Sequence, residues 1–142
     1  MISHASITEA LRTMLEEAVG KPCGRGALPS PGGKPAPLPY LVLYPLGVHV
    51  GGAPLADLSE DATLIFQVTV VASRTDQAEW LADRVRAGVL DRASSGQWVN
   101  PILLPAGEVW ARELLADEGA DQSSADDGVV TYVQQYRLSA SL

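Results

Sequence analysis

The chain has 142 residues, with ten Lys or Arg against seventeen Asp or Glu and a formal net charge of −7. That balance argues against a protein that grips nucleic-acid phosphates, which takes clustered Lys and Arg to release counterions. The length fits one domain, residues 1–142, able to bury its own core, and Cys23, the single cysteine, excludes an internal disulfide and multi-cysteine zinc patterns.

An apolar fraction of 46% and a slightly positive mean hydropathy exclude wholesale disorder. No run approaches the ~20 apolar residues of a membrane span, so no membrane partner is expected. Glu9, Glu16 and Glu17 fall within a helical pattern at the start, which is not the basic-then-apolar order of a signal peptide. Synthesis in the cytosol is the default expectation.

In chain order, Ser6 and Glu9 have capping-box spacing, and Ile7, Ala10, Leu11, Met14, Leu15, Ala18 and Val19 form an apolar stripe that ends at Gly20. From Lys21 to Pro39, prolines and glycines crowd together, which predicts a long loop or arm carrying Cys23 as an incidental thiol. Tyr40 to Leu46 reads as a short buried strand stopped or placed at an edge by Pro45, and Gly47 to Glu60 as a second loop. Between Ala62 and Ser73 the side chains alternate strictly. Ala62, Leu64, Phe66, Val68, Val70 and Ala72 share one face, which predicts a strand. Thr75 offers a helix cap, Asp76 and Glu79 put charge in the first turn, and Ala78, Leu81, Ala82, Val85 and Val89 recur at helical spacing.

Ala93 to Gly107 is irregular. Glu108 to Ala116 and Val129 to Ala140 read as a hairpin, although the first of these also admits a helix. The hairpin is preferred because a strand at the chain end needs a neighbour for its backbone groups. Its connection, residues 117–128, holds Asp117, Glu118, Asp121, Asp126 and Asp127 with no basic residue and is expected to be a solvated loop. The expected fold class is α+β: two layers, in the order α-β-β-α-β-β, with about four strands in a mixed or antiparallel sheet and two helices on one face.

Catalytic and cofactor motifs are missing. The glycines near Gly24 and Gly32 lack the strand and helix a phosphate loop needs, and the acidic stretch departs from calcium-loop spacing. His4 and His49 stand apart from second ligands, and Ser94 and Ser95 lie outside a nucleophile elbow. No catalytic residue, cofactor or metal is assigned. The tryptophans say more. Trp80 borders the apolar stripe of the second helix one turn before Arg84, while Trp98 and Trp110 lie in irregular or ambiguous segments. Aromatic residues so placed are either satellite core or interface anchors.

The run from Gly51 to Leu90, with its PLAD stretch (Pro54 to Asp57) and DQAEW stretch (Asp76 to Trp80), resembles the tail terminator proteins of long-tailed bacteriophages, particularly those of actinobacteria. Gly128 to Leu142 resembles the same family more weakly, and residues 21–39 fall outside the likeness. The resemblance implies a homo-oligomeric ring, usually of six copies, at the head-proximal end of the tail tube. Such a ring ends tube growth and gives the head-tail connector protein a docking surface, without a reaction or cofactor.

The partners so implied are further copies, the tail tube protein and the connector, with DNA passing through unbound and the virion as the location. A closed ring of identical subunits needs two different patches per copy. Trp80 with Arg84 is one candidate and the strand beginning at Tyr40 another, with Trp98 and Trp110 as further interface residues. The acids Asp117, Glu118, Asp121, Asp126 and Asp127 are expected to face the lumen or the tube. The competing readings are another head-tail connector subunit, such as a stopper or adaptor, and a small-molecule binding module or enzyme.

Overall fold

A computed structural model of the chain describes residues 4–51, 61–105, 107–121 and 128–141. The alternating segment forms a long strand, β3 (Asp61–Ala72), and all six residues of its apolar face are buried. β3 pairs antiparallel with β2 (Tyr40–Gly51) on one side and with β5 (Val130–Ser141) on the other. β4 (Glu108–Asp121) joins the outer side of β5, again antiparallel, and a short β1 (Cys23–Arg25) runs parallel to β2. The sheet is therefore mixed and five-stranded, in the order β1-β2-β3-β5-β4.

Two helices cover the apolar face. α1 (His4–Val19) rests on β1 and β2, and α2 (Thr75–Leu90) on β3, β4 and β5, with the helices also touching each other. Ile7, Leu11, Leu15, Leu81, Val85 and Val89 join Leu64, Phe66, Val68 and Leu138 in one buried cluster. Burial of such side chains, each favourable by about 1.5–3 kcal/mol, is the main term holding the layers together. Gly88 lets the helices approach closely, since a Cβ there would stand 3.1 Å from that of Ala18.

The α+β class and two covering helices agree with the sequence reading, whereas five strands replace four. The extra strand lies in the segment expected to be a loop. Leu41 N–H donates to Pro22 O (2.9 Å) and Gly26 N–H to Leu43 O (2.8 Å), while Cys23 N–H donates to a Glu16 carboxylate oxygen (3.1 Å). These partners are distant in sequence, so local composition does not reveal the strand. Cys23 is accordingly a buried core residue and not an incidental loop thiol. Residues 27–29 turn back against Gly24 of β1: a Cβ on Gly24 would lie 1.9 Å from Ala27 O, which leaves room for glycine alone. A 3-10 turn follows at Pro31–Gly33.

β2 does not stop at Pro45. Its register shifts between Pro45 and Gly47, a bulge that skips Leu46 and lets the strand run on past a proline that has no N–H for the ladder. Residues 52–60 of the expected second loop lie outside the described residues. Ser6 is inside α1 and not at its cap, whereas Gly20 ends the helix at positive φ with its N–H on Glu16 O (2.9 Å). His4 is half-buried, with its ring 6.0 Å from that of Phe66. At the start of α2 the cap position is Arg74, with no side-chain cap, and a Gln77 carboxamide oxygen accepts from the Ser73 hydroxyl (3.2 Å).

The acidic connection also changes. Asp117, Glu118 and Asp121 belong to β4, which runs on with register shifts at Val109/Ala111, Leu114/Ala116 and Asp117/Ala120; Asp126 and Asp127 lie outside the described residues.

Phe66→Ala is expected to cost about 3–5 kcal/mol through the cavity it leaves, and Gly24→Ala at least ~1–3 kcal/mol through overpacking against backbone, both read from urea unfolding. Near-neutral results would contradict the packing described. Burial pushes the Cys23 thiol up to about 12 from 9.0. Its folded pKa is raised, so its contribution to stability is present below the unfolded value and is lost as pH rises from 9 towards 12. The stability difference between the native chain and Cys23→Ala should shrink over that range, and native Cys23 should resist a thiol reagent that labels the unfolded chain at once.

Candidate functional site

The C-terminal end of α2 leaves backbone carbonyls in need of donors, and the residues after it supply them. Asn100 Nδ2 donates to Gly88 O (3.1 Å), Arg112 Nη1 to Val89 O (3.1 Å) and Asp91 N–H to Ala87 O (2.9 Å). α2 has no basic residue in its last turn, so the Arg112 guanidinium, brought in by β4, is the cation at the negative end of the helix dipole. Further up the helix, the fully buried Gln134 donates to Ala82 O (3.2 Å) and accepts from the Tyr136 hydroxyl (3.1 Å).

Arg112 is only 7% exposed, and its Nε has no hydrogen-bond acceptor. Its guanidinium carbon lies 4.6 Å from the Trp98 ring centre, and that of Arg92 lies 4.1 Å from the same ring. One indole thus carries two cations. The aromatic quadrupole attracts each of them, while burial, with the Arg92 charge as a lesser cause, pushes the Arg112 pKa down to about 10. A bridge between Arg92 and Trp98 holds the segment that presents the stack.

The other arginines divide cleanly. Arg12 pairs with Glu9 and Glu16, Arg25 with Glu9, Arg74 with Asp76, Arg86 with Asp83 and Asp117, and Arg137 with Glu113. Arg84, Arg92 and Arg112 have no carboxylate partner among the described residues, and all three lie over tryptophan faces. The Arg84 guanidinium carbon is 5.0 Å from the Trp80 ring centre.

Of the residues singled out from sequence, Trp80 is 51% exposed on α2 beside Arg84, Trp98 is half-buried in its stack, and Trp110 is 53% exposed on the outer strand β4. No two of these rings contact one another among the described residues. Tyr40 is half-buried and does not begin an edge strand, because Leu41 to Leu43 are paired on both sides. Asp117 is held by Arg86 (2.6 Å) and is not a free loop acid; its hydrogen bond to the Tyr132 hydroxyl is the main cause of that group's raised pKa. Arg92, Arg112 and Gln134 were not foreseen. An arginine and a glutamine at inward positions of the two C-terminal strands are the signal that could have found them.

Two open grooves flank α1. One of 520 Å³ runs between Ala10, Met14 and the exposed Leu103, and one of 750 Å³ between Arg12, Glu16 and the proline-rich segment. Among the described residues no three His, Cys, Asp or Glu side chains come together to hold a metal ion, and no helix is long and apolar enough to cross a membrane.

Arg112→Ala should cost about 2–4 kcal/mol, because it removes a buried donor from Val89 O together with its packing on Trp98. Arg92→Ala, which gives up a solvent-exposed cation–π contact, should cost no more than about 1 kcal/mol. Urea unfolding of both variants checks the difference; equal losses would contradict the assignment of Arg112 to the helix end.

No protein-family model matches the sequence, and no curated protein matches it. Among solved structures, the chain is similar to one in the structure titled "Virion of native gene transfer agent (GTA) particle", with a TM-score of 0.63 and 19% identity. The match covers 97% of this chain and 93% of that one, so the two share a fold over almost their whole lengths.

Proposed function

We propose that the chain is a structural protein of a phage-type virion and acts as its tail terminator. Copies close into a ring, expected to have six members, on the head-proximal end of the tail tube. The ring ends tube polymerisation and offers the head-tail connector protein a surface to dock on. The observation that carries this reading is the fold shared over 97% of the chain with a chain of a gene transfer agent virion particle. The stretches that resemble tail terminators support it further: on the described residues they are β3, α2 and β5, the centre of the sheet and the helix laid across it, while the PLAD stretch lies outside the described residues.

The charges fit the role. With a net charge of −7, and with most arginines held by carboxylates or tryptophan rings, the chain offers DNA few free cations, so a genome passes through the opening without being gripped. A ring that closes by rotation needs two unlike patches on each copy. Trp80 with Arg84 on α2, and Trp110 on the outer strand, are exposed large side chains of the kind that anchor interfaces.

The test is the mass of the purified chain in solution, with and without tail tube protein, followed by electron microscopy of the mixture. A ring with a central opening, seated at one end of tubes whose growth has ceased, is the expected result. A chain that stays monomeric in both conditions, or that binds connector and not tube, would overturn the terminator role.

A further inference from the structure

On the reading that identical copies meet head to tail, we infer that the Arg92–Trp98–Arg112 stack is the socket of the contact between copies, and that it receives the Glu118 carboxylate of the neighbouring copy. Arg92 and Val99 are exposed and Trp98 is half-buried, while Arg112 is buried, so Arg92 on the Trp98 ring is the cation of the stack that a partner can reach. Trp and Arg in this arrangement are the residue types that dominate interface energies. Neither arginine has a carboxylate partner among the described residues, although acids outnumber bases in the chain by seventeen to ten.

The strand that carries Arg112 also carries the complementary charge. Glu118 is exposed, lies at the register shift between Asp117 and Ala120, and has no cation partner among the described residues. Six residues of extended chain separate it from Arg112, roughly 20 Å. The two cannot meet within one copy and can meet between two. Asp117, one residue before, is already held by Arg86 and is not available for the contact. A basic socket at one end of β4 and an acid at the other give each copy the two unlike patches that a rotational ring requires. This assigns Glu118 to the contact between copies and leaves the lumen to other members of the acidic set.

The experiment uses the full chain and measures its association by sedimentation velocity over a range of concentrations, with tail tube protein added in a parallel series. Arg92→Glu and Glu118→Arg are each expected to weaken association at least roughly tenfold, and the double variant, which restores opposite charges in swapped places, to recover most of it. Arg92→Gln, which leaves the neighbouring backbone intact, serves as a milder second probe, and circular dichroism verifies that each variant is folded. Folded single variants that associate at native strength, or a double variant no better than either single one, would overturn the socket while leaving the ring in place. A native chain that never associates, with or without tube protein, would overturn the ring and the socket together.

Discussion

Everything in this fold depends on β3 having one face that water cannot be allowed to reach. Six residues at alternate positions are apolar without exception, and the strand sits in the middle of the sheet with a neighbour on each side. Its backbone groups are satisfied by β2 and β5, so only the apolar face remains to be covered. α2 follows β3 after two residues and lies across it, and α1 extends the cover towards β1 and β2. The helices are packed closely at one crossing point, where a Cβ on Gly88 would stand 3.1 Å from that of Ala18.

The parts legible in the sequence were those whose stabilising partners are implied by their own pattern. Strict alternation from Ala62 to Ala72 and the 3.6-residue recurrence from Ala78 to Val89 named the buried residues of β3 and α2 individually. The hairpin of β4 and β5 could be argued because a terminal strand needs a mate. β1 was not legible, since three residues among prolines and glycines become a strand only through the parallel ladder to Leu41, Val42 and Leu43. Pro45 misled for a similar reason: a proline ends a strand locally, but a bulge in the register lets this one continue.

The site residues follow the same division. The exposure of Trp80 beside Arg84 could be read from its angular position on the helix. The stack on Trp98 could not, because Arg92, Trp98 and Arg112 come from a helix end, an irregular segment and a strand that also passed for a helix. What unites them is the need of α2 for donors at its last carbonyls. Arg112 and Asn100 answer that need, and the indole then shelters the guanidinium where a carboxylate commonly would. Gln134 is the same solution about two turns nearer the start of α2: a polar side chain within an apolar face, accepted because each end of its amide has a partner.

The three register shifts along β4 bear on what the outer edge of the sheet can join. A straight outer strand with free backbone groups is a template on which another strand can be laid, then another, until the result is a fibre of indefinite length. β4 is fourteen residues long and would be such a template, but its ladder is interrupted near each end and in the middle, and acids stand along it. Sheet-to-sheet stacking is thereby discouraged, and side-chain contacts are left to decide which surfaces join. An outer strand whose ladder is broken three times offers a further strand no straight edge on which to extend the sheet.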